Sequence, residues 1–224
     1  MAGDMPSRSA GAKAFFRGMS DFFWPPRSLV SGIRGIGRGP LSPEEFARLR
    51  FISEPLCDRC GVPLDYRTGE ETWCPVCLAR PPRWQRARAA LVYDDVSRRP
   101  VLDLKRGGRR DGLATFAGWM TQAGGRLVDE ADVIVPVPLH YTRLVSRGFN
   151  QSGWLAQAIG KLSGKPVLVD GLVRHRRTPS QAGLSGRARR RNVAGAFRVR
   201  RSREKRIEGA QVLLIDDVLT TGAT

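Results

Sequence analysis

The run Val212-Leu213-Leu214-Ile215-Asp216-Asp217-Val218-Leu219-Thr220-Thr221-Gly222-Ala223-Thr224 constrains the fold more than any other part of the chain. Its opening apolar stretch reads as a fully buried parallel strand. The strand delivers two adjacent carboxylates to its C-terminal end, and a small-residue loop, Thr220 to Thr224, follows at once. Open α/β sheets place their ligands at that end of their strands. Neighbouring carboxylates accept hydrogen bonds from a vicinal diol, while a Thr/Gly loop offers hydroxyls and unobstructed N–H groups to a phosphate. Diol beside phosphate describes a ribose 5-phosphate. The plainer alternative is a strand that ends in a solvated turn, where Asp, Thr and Gly are common.

Upstream, strands alternate with helices, which implies an α/β fold whose parallel sheet is flanked by helices. Ala89–Tyr93, Asp132–Val137 and Pro166–Val169 read as strands. Val101–Lys105 belongs to a short helix ending at Gly107-Gly108. Leu113, Phe116, Ala117 and Met120 have helical spacing, and so does Asn150–Leu162, with Trp154, Leu155, Ala158 and Ile159 inward. A further helix is expected over Ser185–Val193. Ser42-Pro43-Glu44-Glu45 is a helix start, with a capping hydroxyl, Pro in the first turn and acids behind it; that helix should run to about Phe51. Met1–Gly39, rich in Gly, Pro, Ser and Arg, reads as loosely structured. Its aromatic patch (Phe15, Phe16, Phe22, Phe23, Trp24) either packs on the domain or faces a membrane surface.

The chain's four cysteines fall in two CxxC pairs, Cys57/Cys60 and Cys74/Cys77, with thirteen residues between the pairs. Two such knuckles close a tetrahedral thiolate site, the pattern of a zinc ribbon. Gly61 follows the first knuckle, where a positive φ is often needed. With four protein ligands the zinc is structural, because no position is open to water. The alternatives are disulfides or redox-active pairs; a chain without an export signal disfavours disulfides. A fainter copy lies upstream: Pro26–Gly32 has the layout of the first knuckle with Ser28 and Ser31 at the cysteine positions, and Leu41–Glu45 parallels the second. Serine hydroxyls are poor zinc ligands beside thiolates, so this copy should hold no metal.

The formal charge is +17, nearly all from arginine and densest over Arg174–Arg206. Three readings stay open: a nucleic-acid surface contacting phosphates, local arginines serving an anionic small molecule, or a solvated basic face. No apolar stretch is long enough to span a bilayer, so stable membrane insertion is not expected. Met1–Ser20 lacks the apolar core of a secretory signal, and a cytoplasmic protein is expected.

A second candidate ligand segment follows the strand at Asp132–Val137. Pro136-Val137-Pro138 ends the strand sharply, and Arg143, Arg147 and Gly148 then lead into a helix. Guanidinium forks suit phosphate oxygens. His140 lies in the same stretch and His175 among arginines; neither stands out as a catalytic group.

These segments resemble known ones. The Val212–Thr224 run looks like the phosphoribosyl-pyrophosphate (PRPP) signature of type I phosphoribosyltransferases, and Pro136–Gln151 resembles their pyrophosphate loop, above all at Arg147-Gly148-Phe149. Together with the Cys57–Cys77 ribbon, Leu104-Lys105, Gln181–Leu184, Arg189 and Asn192–Phe197, the chain is similar to the ComF family from about Pro25 to Thr224. The departure is Ser28, Ser31, Ser42 and Glu45, which stand where the family usually carries cysteines.

The resemblance implies three parts: residues 1–50 with a degenerate, metal-free ribbon, a zinc ribbon over 51–85, and an incomplete type I phosphoribosyltransferase-like domain over 86–224. It implies that Asp216 and Asp217 hold the ribose hydroxyls of PRPP, that Thr220, Thr221, Gly222, Ala223 and Thr224 cradle its 5-phosphate, and that Arg143, Arg147 and Gly148 take the pyrophosphate with magnesium. Gln181, Arg189 and Asn192 belong to or border a mobile loop over that site. A helix and at least one more strand are expected after the signature, so the chain reads as truncated at Thr224. Transfer of the phosphoribosyl group to an acceptor is the enzymatic reading; a non-catalytic module binding single-stranded DNA in DNA uptake is its rival. Neither the acceptor nor the oligomeric state is legible.

Overall fold

The computed structural model describes residues 28–31, 40–106, 110, 112–179, 183, 185–220 and 222. They divide into two compact units, one ending at Arg48 and the other beginning at Leu49. The aromatic patch expected near the N-terminus lies outside the described residues.

In the first unit, Ser42 caps a short helix, α1 (Pro43–Ala47). The Ser42 hydroxyl accepts the Glu45 N–H at 3.2 Å, and Glu45 Oε2 accepts the Ser42 N–H at 3.0 Å, a reciprocal capping box. The other carboxylate oxygen, Oε1, accepts the Ser28 hydroxyl at 2.6 Å and the Ser31 N–H at 3.0 Å. One carboxyl group therefore gathers all four positions that the sequence marks as a ribbon without cysteines.

The helix stops well short of Phe51. Residues 50–52 are instead drawn into extended pairing inside the second unit: Phe51 forms an antiparallel bridge with Leu91, flanked by Ile52 N–H to Ala90 O at 3.0 Å and Val92 N–H to Arg50 O at 2.9 Å. The strand expected over Ala89–Tyr93 is reduced to this bridge.

The second unit carries helices α2 (Pro75–Ala79), α3 (Asp95–Arg106), α4 (Leu113–Gly124), α5 (Arg126–Asp129), α6 (Tyr141–Arg147), α7 (Gln151–Ser163), α8 (Gly186–Val193) and α9 (Glu204–Ile207). Its strands are β1 (Val133–Pro136), β2 (Leu172–Arg174), β3 (Phe197–Val199) and β4 (Val212–Ile215). β1 is buried throughout. β4 runs parallel to it, with Val133 opposite Val212 and Pro136 opposite Ile215. On the opposite edge of β1, Ile134 makes a single parallel bridge with Val167, so the strand expected over Pro166–Val169 contributes one pairing position rather than a full strand.

α7 starts at its Asn150 cap, lies on β1, and packs against α4. Leu155, Ala156 and Ile159 are buried on its inner face, as are Phe116 and Ala117 on α4; a Leu or Ile enclosed in this way contributes about 1.5–3 kcal/mol. The other face of β1 packs Val133 and Val135 with Leu168, Leu172, Ile207 and Ala210. The final strand is not fully buried as expected. Ile215 is 5 % exposed but Leu214 is 53 % exposed. Leu214 shares a face with Val135 by register, and the residues that cover Val135 do not reach it.

A second difference concerns the stretch after β1. The expected loop contains α6, which His140 opens and Gly148 closes. Gly148 takes a left-handed φ of +78°, a conformation that suits glycine at a helix C-terminus. Caps at both ends support a helix too short to show a strong periodic pattern. β2 and β3 pair antiparallel beside this assembly, and α8, capped by Ser185, lies between them in the chain. Among the described residues no helix is long and apolar enough to cross a membrane.

Candidate functional site

Two sites emerge in the second unit. The first is the cysteine cluster. Cys74 caps α2, its sulfur accepting the Cys77 N–H at 3.4 Å, and Cys74 N–H reaches Cys57 Sγ at 3.2 Å. Cys57, Cys60, Cys74 and Cys77 are free thiols, and their sulfurs all lie within 4.8 Å of one another. Cys60 Sγ and Cys74 Sγ are 3.7 Å apart, close to the ~3.8 Å edge of a tetrahedron with a ~2.3 Å metal–sulfur bond. Burial raises the Cys57 thiol, but N–H groups from Cys60, Cys74 and Arg59 outweigh it and bring the pKa down to about 6. Burial pushes Cys60 up to about 11, and burial with the neighbouring thiols pushes Cys77 up as well. A divalent cation at the centre is what lets all four ionise together. The donor set therefore fits a tetrahedral metal ion of zinc type.

The second site is the acid pair. Asp216 and Asp217 follow β4 at once, at the C-terminal edge of the parallel pair, as read from the sequence. Both are held from the first turn of α7, and Asp217 from α3 as well. Asp216 Oδ1 accepts the Ser152 hydroxyl at 3.1 Å and the Asp217 N–H at 2.9 Å. Asp217 Oδ2 accepts the Gln151 side-chain amide at 2.9 Å, and its Oδ1 pairs with Lys105 Nζ at 3.0 Å. α7 thus supplies Gln151 and Ser152 from its first turn, and α3 supplies Lys105. Burial, then the charge of Asp217, pushes the Asp216 carboxyl up to about 6, against the opposing pull of its hydrogen bonds and Lys105.

Arg147 joins this constellation through a side chain: its Nη1 donates to Gln151 Oε1 at 2.8 Å. Arg143 points elsewhere, donating to the Thr178 carbonyl at 3.0 Å. It lines a cavity of about 580 Å³ with Thr142, Ser146, Arg177, Thr178 and Pro179. The two sequence-predicted arginines are therefore not side by side on one ligand surface. Arg174, 8 % exposed, bonds Thr178 Oγ1 and lies over the Phe197 ring at 5.2 Å. Burial, then the charge of Arg143, lowers its pKa, while Asp216 opposes.

Arg189 reaches the signature loop, donating to Thr220 Oγ1 at 2.9 Å. Asn192 holds the Pro179 carbonyl at 3.2 Å. Both lie on α8, the helix expected over Ser185–Val193. Gly222 packs on the Trp84 ring with φ +61°, where a Cβ would overlap the indole. Gln181, Thr221, Ala223 and Thr224 lie outside the described residues. His140 caps α6, its Nδ1 3.4 Å from the Thr142 N–H, and is buried in that role.

The sequence reading missed the roles of Lys105, Ser152, Arg174 and Trp84. Leu104-Lys105 was a signal without a position; nothing local in the sequence marks the other three.

The chain is 34 % identical over 177 residues to the DNA utilization protein YhgH of Salmonella typhimurium, covering 75 % of this chain and 74 % of that protein. It is 33 % identical over 187 residues to the protein of the same name from Escherichia coli, covering 80 % and 78 %. The chain belongs to the ComF family. Competence protein F of Haemophilus influenzae is 29 % identical to this ComF-family chain over 185 residues, covering 77 % and 76 %. No protein-family model matches the chain, and no solved structure matches it.

Proposed function

We propose that this ComF-family chain binds PRPP through a type I phosphoribosyltransferase-like domain over 86–224, behind a structural zinc ribbon over 51–85 and a metal-free ribbon within 1–50. The observation that carries the reading is the acid pair at the C-terminal end of β4, with cationic donors left open around it. The Nε groups of Arg174 and Arg189 are buried without a hydrogen-bond partner. Arg189 touches Thr220, and Arg174 lies within electrostatic reach of Asp216. Unpaired buried donors are costly, and an anionic ligand satisfies them.

In this reading Asp216 and Asp217 hold the ribose hydroxyls. The Thr220–Thr224 loop cradles the 5-phosphate, and Arg147 and Gly148 serve the pyrophosphate, while Arg143 faces the neighbouring cavity. Magnesium brought in with the ligand would neutralise charge on the pyrophosphate. Transfer breaks the bond from the ribose anomeric carbon to the pyrophosphate oxygen. The electron pair leaves with pyrophosphate, and an acceptor nucleophile bonds to the carbon. The carboxylates stabilise the positive charge that develops there. Equilibrium binding of PRPP in magnesium buffer tests the reading. Saturable binding weakened by Asp217→Asn supports it; no binding by a folded chain contradicts it.

A second reading rests on a different surface. Arg187, Arg190 and Arg191 are exposed on α8, and Arg198 is exposed on β3. Such a basic helix and strand suit the backbone of single-stranded DNA. The curated relatives are named for DNA utilization and for competence, so DNA uptake is the process in which either activity would act. The four free thiols suit a reducing cytoplasm.

A further inference from the structure

We propose that Gln151 is a positioning residue that couples the pyrophosphate arm to the acid pair, by holding Arg147 and Asp217 through one side-chain amide. The inference rests on the PRPP reading and deepens it. Gln151 is 5 % exposed, so its amide has no water to fall back on. Its NH₂ donates to Asp217 Oδ2 at 2.9 Å and its carbonyl accepts from Arg147 Nη1 at 2.8 Å. An amide is the side chain that can do both, since a carboxylate has no donor for Asp217 and an alkyl group has neither. Lys105 closes the chain on the far oxygen of Asp217 at 3.0 Å. A ligand that moves Arg147 therefore moves Asp217, two groups 70 positions apart in the sequence.

The charged groups facing Gln151 are Asp217 and Arg147, with Lys105 and Asp216 behind Asp217. Gln151→Glu keeps the size and favours Arg147 but sets a carboxylate against Asp217. Gln151→Met removes both bonds without adding charge. The relay predicts that at pH 8 PRPP binds Gln151→Glu at least about tenfold more weakly than wild type, the scale of one hydrogen bond to a charged group. It also predicts weaker binding than to Gln151→Met, the gap closing toward pH 5 as a carboxyl takes a proton. If Gln151 only fills space, Gln151→Glu binds better than Gln151→Met at every pH, and the proposal fails. Thermal melts of the ligand-free protein supply a separate arm: Gln151→Glu should melt below Gln151→Met at pH 8 and not at pH 5. If wild type binds no PRPP while the melts follow this order, the function falls and the relay stands; if the difference between the two variants' melts is the same at both pH values, the relay falls.

A second inference rests on the first unit alone. We infer that the Glu45 carboxyl group stands where a metal ion stands in the cysteine ribbon. The two knuckle pairs match residue for residue. Ser42 and Cys74 cap helices of the same length, with φ, ψ of −76°, 159° and −69°, 158°, each followed by Pro. Ser42 Oγ accepts the Glu45 N–H as Cys74 Sγ accepts the Cys77 N–H. Ser28 Oγ accepts the Val30 and Ser31 N–H groups, both at 3.0 Å, as Cys57 Sγ accepts those of Arg59 and Cys60. The residue matching Cys77 is Glu45, and its carboxylate turns inward to bind the other three positions. Hydroxyls and one carboxylate do not fit zinc in place of thiolates, so hydrogen bonds do the cross-linking.

The test is metal content and amide exchange in the full chain. Wild type should hold one zinc, and the combined Ser28→Cys, Ser31→Cys, Ser42→Cys, Glu45→Cys variant should hold two. Glu45→Gln, whose amide has a single acceptor oxygen, should lose exchange protection at the Ser31 or the Ser42 N–H by about tenfold or more while the second unit keeps its own. Two zinc ions in wild type, one in a folded four-cysteine variant, or unchanged protection in Glu45→Gln each overturns the inference.

Discussion

Ser152 donates its hydroxyl to Asp216 across 3.1 Å, tying the first turn of α7 to the residue after β4. Ser152 is 1 % exposed, so this acid is held in an enclosed environment that disfavours its charge. Asp216 titrates at about 6, above the ordinary range of an aspartate. A folded pKa raised above the unfolded one means the folded state holds its proton longer. Stability therefore falls as pH rises from about 4 through 6, and the cost is complete above that. Asp216→Asn removes this cost. It should raise the melting temperature by a few degrees at pH 8 and by less at pH 5, while weakening PRPP binding. An equal shift at both pH values would contradict the assignment.

Lys105 is the cation paired with Asp217, its side chain 26 % exposed against 7 % for Asp217. Lys105→Met leaves that carboxylate without its partner, a defect costing about 1–3 kcal/mol. The loss should be read in the denaturation midpoint at pH 7. Lys105→Arg should recover part of it.

Removal of the ribbon metal should unfold the segment around Cys57–Cys77 rather than the sheet. The cluster's packing is local, with Cys60, Leu64 and Trp73 around the buried thiols. Cys77→Ser or a strong chelator should abolish exchange protection at the Cys74 and Cys77 amides while the β1 amides stay protected.

Glu45 has the opposite titration to Asp216. Burial raises its pKa, but the hydroxyls of Ser28 and Ser31 and the N–H groups of Ser42 and Ser31 outweigh that and bring it down to about 2. A depressed folded pKa contributes stability that is full above the ordinary glutamate pKa of about 4.3 and is lost as pH falls toward 2. The Glu45 carboxyl carbon should titrate by NMR near pH 2; a midpoint near 4 would show that the carboxylate is not so held.

The DNA reading makes a separable prediction. Reversing Arg187, Arg190 and Arg191 to Glu should weaken single-stranded DNA binding and reduce the slope of log affinity against log salt by about 0.7 for each phosphate that is no longer neutralised. PRPP binding should change far less, since these side chains are exposed.

Much of this was legible because it is local. The Ser42 cap, the Asn150 helix, the CxxC knuckles and the strand–acid–acid step are each read from a few neighbouring residues, and the structure has them at those positions. The burial of β4 misled, because an apolar strand reads the same whether one face or both are covered; Leu214 shows that one is not. α6 was hidden by its length and by the prolines before it. Ser152 and Arg174 could not be read as site residues, because their roles arise from tertiary approach across more than forty positions.

The central claim is that Asp216 and Asp217 grip a ribose. A crystal structure of the protein with PRPP and magnesium tests it most directly. The account predicts both ribose hydroxyls within about 3 Å of the two carboxylates, with the 5-phosphate against Thr220 and Gly222. PRPP bound elsewhere, with Asp216 still on Ser152 and Asp217 still closed by Gln151 and Lys105, would contradict it.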